Sequence, residues 1–354
     1  AAYKDLVGQK ITKVTSNPGE PKTGQMWYNS TTGTLKGIGV VEAWSSASPM
    51  STARFGLSGF GTQTAAAGAG GYIPPNSAAT EEYNGSGWAA GGNLGAARRY
   101  LSGFGTQTAG AVCGGFTTAD VTSTEEYDGS SWTAGGALNQ AIRHNAASGT
   151  QTAGLAFAGN YNASPPFTIE DRSDEYNGTS WTASGDMNTG RAILMGCGIQ
   201  TSTIAFGGGP ETGPAVTATE DYNGSSWTTV NSMNTSRQDA VGCGTTSSAI
   251  TSNGNTPPIS ATSEQWDGTS WSTAPSMATA RRALRSAGAS YSSALGFGGT
   301  PPTTGNTEEF NKSTNTITAG AWASGGNMVN TLYGRAGGGT QTAAISAGGE
   351  PPRT

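Results

Sequence analysis

Residues 80–88 read TEEYNGSGW, and the phrase returns as TEEYDGSSW at 124–132 and TEDYNGSSW at 219–227. A chain that repeats one phrase at a steady spacing folds as stacked copies of a single supersecondary unit. Tryptophan anchors the count: Trp44, Trp88, Trp132, Trp181, Trp227, Trp271 and Trp322, seven positions spaced 44 to 51 residues apart. Six residues after each stands Met or Leu, and four further on an arginine in five copies: Arg54, Arg98, Arg191, Arg237 and Arg281. Ile142 and Leu332 take that place in the other two. A turn follows, often GTQT, and then an apolar run ending in a glycine pair such as Gly70-Gly71 or Gly114-Gly115.

Between these anchors the apolar residues alternate with a period of two, and no window carries a helical stripe. Each unit therefore reads as four short strands: one after the arginine, one from GTQT to the glycine pair, one carrying TEEY and one carrying the tryptophan. Asn84-Gly85, Asp128-Gly129, Asn177-Gly178, Asn223-Gly224 and Asp267-Gly268 sit between the last two. There they suggest two-residue hairpin turns with positive φ at both central positions.

A period in the forties with four antiparallel strands per unit points to a β-propeller. The glycine pair, then Tyr83, Tyr127, Tyr176 or Tyr222, then tryptophan, resembles the kelch repeat over about residues 25 to 350. The chain ends on a glycine pair, Gly348-Gly349, with no third or fourth strand after it. It starts, past an arm at residues 1–24, with Met26-Trp27-Tyr28-Asn29 and then the strand of Trp44, which look like the missing third and fourth strands. The expectation is one seven-bladed propeller over residues 25–354, its last blade closed by the N-terminal strands. Closure of that kind removes open sheet edges.

The loops between the glycine pair and the third strand vary in length and sequence, while the frame repeats around them. They share one face of a propeller with the links between blades, so that face is the expected recognition surface. Tyr72, Tyr161 and Phe167 are its aromatic candidates.

Catalytic chemistry is hard to find. The one histidine, His144, lies just past the arginine column and cannot build a His-rich metal site. Galactose oxidase shares the kelch fold but needs two histidines for its copper. DGSSW resembles the Asp-box of sialidase propellers faintly, one residue short. Paired acids recur as Glu81-Glu82, Glu125-Glu126, Asp174-Glu175, Glu220-Asp221 and Glu308-Glu309. Neighbours in a strand point to opposite faces, so such pairs suit a structural frame better than glycoside hydrolysis. The first acid of each is expected to meet an arginine or backbone amides, since buried charges need partners. No catalytic, cofactor or metal residue is assigned, and the chain is read as a non-enzyme.

The net charge of −5 argues against a nucleic-acid surface, and no apolar run approaches a membrane span. Cys113, Cys197 and Cys243 lack disulfide or zinc spacing and read as small buried thiols. The opening Ala1-Ala2 is compatible with a processed form.

Residues 24–37, GQMWYNSTTGTLKG, followed by GTQTA and EEYNGSSW-type repeats, resemble kelch-like structural proteins of marine bacteriophages. That resemblance implies a virion component of the tail, a fibre or the decoration, docked to other virion proteins through residues 1–24. Its variable loops would contact a glycan or protein of the host surface. A secreted or cell-surface adhesin or lectin-like propeller is the alternative, and a glycan-active enzyme a third.

Overall fold

A computed structural model describes residues 11–19, 22, 25–162, 167–256, 258–318, 336–340 and 343–347. Contacts divide the chain into two units: Val40–Asn315, and a smaller one formed from Ala1–Gly39 with Thr316–Thr354. Among the described residues every regular element is a strand, and no helix is long and apolar enough to cross a membrane.

The larger unit is a propeller of six four-stranded blades, not seven. Blade one shows the pattern: Ser58–Thr62, Ala65–Ala69, Thr80–Tyr83 and Trp88–Ala90, paired antiparallel in chain order from the axis outward. Blades two to five repeat it, their inner strands being Ser102–Thr106, Ala146–Thr150, Met195–Ile199 and Val241–Thr245. Blade six takes Arg285–Ser290, Ser293–Phe297 and Thr307–Thr318 from the end of the unit, and its outer strand from Thr34–Ala47 at the start. N-terminal closure is thus real, but it completes a sixth blade.

The count fails at one place, and the reason is local. In blades one to five the third-strand aromatic and the tryptophan stand five residues apart, across an Asn-Gly or Asp-Gly turn. After Phe310 comes NKSTNTIT, which holds no such turn, so the chain runs straight on as a twelve-residue strand. Its edge is taken by the strand of Trp44. The Trp44 and Phe310 rings lie 5.3 Å apart, matching the 4.7 Å of Tyr127 and Trp132 in blade two. Trp322 and Gly348-Gly349 lie outside the described residues. The seventh glycine-rich half forms a separate two-stranded hairpin, Ala336–Thr340 with Ala343–Ala347. Met26–Asn29 is not a blade strand either. It pairs with the start of Thr34–Ala47 in the smaller unit, and Thr12–Val14, within the expected arm, runs parallel to it.

The recurring residues now have physical roles. The outer-strand indole of each blade donates to the first hydroxyl of the preceding blade's third strand: Trp88 to Thr307 (3.0 Å), Trp132 to Thr80 (3.0 Å), Trp181 to Thr124 (2.9 Å), Trp227 to Ser173 (2.9 Å), Trp271 to Thr219 (3.1 Å) and Trp44 to Ser263 (3.1 Å). The glutamine of GTQT crosses to the preceding blade too, Gln107 Nε2 reaching the Ala66 and Tyr83 carbonyls at 2.9 Å each. Outside blade three, the first acid of the third strand meets both an arginine and a backbone amide. Arg191 lies 2.8 Å from Glu220, which also accepts from Asn188 N–H at 2.7 Å. Arg54–Glu81, Arg98–Glu125, Arg237–Glu264 and Arg281–Glu308 repeat the pair. In blade three, where Ile142 replaces the arginine, Arg172 swings in to Asp174 at 3.0 Å. A cavity of about 10 Å³ beside Ile142 and Asp174 marks the vacated place.

The second acid ties neighbouring blades. The Tyr127 hydroxyl donates to Glu82 (2.8 Å), Tyr176 to Glu126 (2.5 Å), Tyr222 to Glu175 (2.7 Å) and Tyr83 to Glu309 (2.7 Å). The turns differ from expectation. Tyr83 pairs with Trp88 across four residues, and only the glycine, Gly85 at φ +88°, adopts positive φ. Asn84 holds the turn with its side chain instead, Oδ1 accepting from Ser86 and Gly87 N–H at 3.0 Å.

Candidate functional site

The links that carry the chain into each inner strand meet around the axis in a closed ring of backbone hydrogen bonds. Gly56 N–H donates to Ala283 O (2.8 Å), Ala283 to Asp239 (2.9 Å), Asp239 to Ile193 (3.1 Å), Ile193 to His144 (2.9 Å), His144 to Tyr100 (3.0 Å) and Tyr100 to Gly56 (2.7 Å). All six residues lie at φ between +53° and +59°. For a β-branched residue such as Ile193 that is a strained conformation, of the kind that persists only where the surroundings enforce it. Here the ring itself enforces it by satisfying all six amides and carbonyls.

One residue before each ring member, an isolated bridge joins the link to the residue after the glycine pair: Phe55 with Tyr72, Arg99 with Phe116, Arg143 with Asn160, Ala192 with Gly209, Gln238 with Asn255 and Arg282 with Thr300. The backbone here is six-fold, and the side chains are not. Blades one to three carry aromatics and arginines, while blades four to six carry mainly small or polar residues.

The first three blades therefore bear a continuous strip. Phe55 meets Tyr72 edge-on at 5.4 Å. The Arg99 guanidinium lies 4.5 Å from the Tyr72 ring and 5.0 Å from Phe116. Arg143 lies 5.0 Å from Phe116 and 5.3 Å from Phe167. Alternating cations and π-faces hold one another flat. Tyr72 and Phe167 thus stand in one surface, with Asn76 Oδ1 steadying Arg99 at 3.1 Å. Tyr161 does not join them; it sits in a short hairpin of its own loop, Asn160–Tyr161 with Thr168–Ile169.

Beside the strip, charges converge. Tyr100 packs on His144 with ring centroids 4.1 Å apart. His144 Nδ1 faces Asn160 Oδ1 at 3.3 Å and Glu211 Oε2 at 3.7 Å. Glu211, from the loop of blade four, also accepts from Asn160 Nδ2 (2.6 Å) and Arg143 (3.2 Å). Burial pushes the Glu211 carboxyl up, but His144 and Arg143 outweigh it and hold its pKa at about 2. Burial raises the Tyr100 hydroxyl, which feels Arg99, Asp239, Glu211 and Arg143 together. Burial likewise depresses Arg285, against the opposing pull of Asp239 and Tyr100. Below the ring, the inner strands of all six blades line an axial cavity of about 170 Å³, in which Arg285 is the charged lining residue.

Several buried polar atoms in this neighbourhood have no partner: Asp239 Oδ1, Gln238 Oε1 and the Nε atoms of Arg99 and Arg143. Among the described residues no group of three or more His, Cys, Asp or Glu is placed to hold a metal ion. Cys113, Cys197 and Cys243 are free and buried.

Sequence reasoning found the frame arginines and missed the site arginines one position later. The doublet Arg98-Arg99 is the available signal for one of them, since its first residue belongs to the frame and its second breaks the regularity, while Arg143 follows Ile142 and carries no such signal.

No protein-family model matches the chain, and no curated protein matches it. A solved structure described as "Structure of YjhT" does, with a TM-score of 0.61 and 11% identity, covering 76% of this chain and 99% of that one. The chain is a β-propeller. At that identity the likeness shows the fold alone, and the crown of the propeller has to be read from its own residues.

Proposed function

We propose that this propeller is a non-enzymatic structural and binding protein of a phage particle, presenting its axial face to the host surface. The observation that supports this is the confinement of the aromatic–arginine strip to blades one to three. A repeating frame has no structural need for it, because blades four to six build the same ring and the same bridges without it. Phe55, Tyr72, Arg99, Phe116 and Phe167 are half-buried and Arg143 is buried beneath them, and aromatic and arginine side chains held part-exposed on a rigid scaffold are what recognition surfaces use. The phage context rests on the likeness of residues 24–37 to virion proteins, and residues 1–24 are proposed to dock onto neighbouring virion subunits.

The test is binding of fluorescently labelled protein to candidate host cells, comparing wild type with Tyr72→Ala and Phe167→Ala. Loss of binding in variants that stay folded supports the reading. Equal binding by all three proteins removes the strip from it. Mass spectrometry of purified particles tests the virion placement, and absence of the chain from particles favours the adhesin alternative.

A glycan-active enzyme is the second reading, favoured by the Glu211 and Asp239 carboxylates that both act on Tyr100. Turnover of a glycan by the purified chain, lost in Asp239→Asn, would establish it.

A further inference from the structure

We infer that the axial cavity is an anion site, where the Arg285 guanidinium and the amides of the inner strands hold a small oxyanion: sulfate, phosphate or a carboxylate. The inference stands apart from the recognition reading above, because it uses no residue of the aromatic strip.

The first observation is a cation that the frame does not need. Arg285 opens the inner strand of blade six. In blades one to five that place belongs to Ser58, Ser102, Ala146, Met195 and Val241, all of them small or apolar. Arg285 lines the axial cavity and is half-buried. Its Nη1 donates to the Leu284 carbonyl at 2.9 Å, and its Nε and Nη2 make no hydrogen bond among the described residues. Neither of those two nitrogens is sealed from solvent, unlike the buried Nε atoms of the frame arginines. Among the described residues no carboxylate pairs with Arg285, and none lines the cavity. Asp239 and Tyr100 pull on it only through space, and burial outweighs them. A desolvated charge without a contact partner is costly, and folded proteins normally pair it.

The second observation is the backbone around it. The Gly242 N–H turns away from its own blade and donates to Ser286 Oγ at 3.2 Å, while Ser286 Oγ donates to Gly242 O at 2.8 Å. In an antiparallel ladder a residue exchanges both backbone bonds with the residue opposite, or neither. Gly59, Gly103 and Gly196 hold the register of Gly242 in their own blades, so their amides turn to the axis as well. All three line the cavity and have no side chain to cover the amide. Backbone N–H groups converging on a concavity make a recurrent anion cradle.

Access and size complete the site. The lining reaches Gly61, Gly105, Gly149, Gly198, Gly244 and Gly288, and the next residue of each strand is exposed. The cavity therefore opens on the face of the turns between first and second strands. Its volume of about 170 Å³ is close to the roughly 150 Å³ of a cavity that takes up benzene. An ion of a few heavy atoms fits, whereas a sugar ring with its hydroxyls does not. Arg285 repels a cation, and an apolar guest would leave the guanidinium unpaired.

The experiment follows thermal unfolding of the whole chain as sodium sulfate, phosphate or acetate is added, with sodium chloride at matched ionic strength as control. Wild type should gain several degrees and then saturate, as a bound ligand dictates. Sulfate and phosphate also stabilise proteins by exclusion from their surface, without saturating. Arg285→Met sets that baseline and should show only the unsaturated rise. Before any anion is added it should unfold a few degrees above wild type, because an unpaired buried cation is gone. Saturation by acetate assigns the site to the carboxylate of an organic ligand, and saturation by sulfate or phosphate alone to a tetrahedral oxyanion; either supports the site. The same rise in wild type and Arg285→Met overturns the inference. So does a wild type that saturates with none of the three anions. Should Arg285→Met fail to fold, calorimetry of wild type against Arg285→Lys decides. Binding about tenfold weaker in the lysine variant, which lacks the planar fork of donors, supports the site, and equal binding overturns it.

Discussion

The indole nitrogen of Trp44 donates a 3.1 Å hydrogen bond to the Ser263 hydroxyl, joining residues 219 positions apart. It is the sixth copy of a bond made in every blade and, with Trp88 to Thr307, one of two that link the start of the propeller to its end. Lys312 adds a 2.7 Å ion pair to Glu42 on the same strand. Trp44→Ala should destabilise the propeller by about 3 kcal/mol and Trp44→Phe by about 1 kcal/mol, measured by denaturant unfolding. Trp227, 5% exposed, sets the scale, its alanine variant losing about 3–5 kcal/mol. A loss below 1 kcal/mol for Trp44→Ala would mean that the ring closes by other contacts.

The ring around the axis yields two substitutions of opposite sign. Ala283 holds a φ of +53° where blade one has Gly56 at +59°. Ala283→Gly relieves left-handed strain at the loss of one methyl group and some backbone entropy, so it should stabilise by about 0.5 kcal/mol. Gly56→Ala should destabilise by more than about 1 kcal/mol, because its Cβ would sit 2.7 Å from the Tyr100 ring. Thermal unfolding of the two variants checks the signs.

The frame ion pairs are buried at both ends, with Arg281 and Glu308 1% and 3% exposed. Glu308→Leu strands a buried guanidinium and should lose about 3–5 kcal/mol. The double variant Arg281→Leu with Glu308→Leu should recover part of that loss, though the Gly298 and Asn306 carbonyls lose their donor. A double-mutant cycle with no coupling would contradict the pairing.

Asp221 carries a pH signature. Its place in the frame calls for a tyrosine hydroxyl from blade five, but Trp266 stands there and turns its indole N–H to Thr246 O at 2.8 Å. Asp221 Oδ1 is left without a partner, and burial pushes the carboxyl up. A carboxyl raised in the folded state favours folding most below the unfolded value near 3.8, and that contribution fades as pH rises through the folded pKa. Asp221→Asn should therefore be the more stable protein at pH 7, and its advantage should vanish near pH 3. Asp128 runs the other way. Backbone and hydroxyl donors of Ser130 and Ser131 hold it at about 2, so its contribution is present above about 3.8 and lost as pH falls towards 2. Stability curves of the two asparagine variants across pH 2 to 7 separate the effects.

Much of the protein was legible in its residues. Period-two patterning, glycine pairs and the spacing of tryptophans determined four-stranded blades, the arginine–acid frame and closure by the N-terminal strand, because these are local or repeated choices that each copy states again. Tertiary structure decided what no copy repeats. The number of blades turned on a competition between two partners for the edge of Thr307–Thr318, and the strand of Trp44 prevails because the run after Phe310 carries no turn to fold it back. Even the Asn-Gly turn type depended on whether the asparagine backbone or side chain closed it. The candidate site was hidden for a related reason. Phe55, Tyr72, Arg99, Phe116, Arg143 and Glu211 are scattered over more than 150 positions, and only the closed ring brings those odd residues, ordinary in their own blades, to one axis.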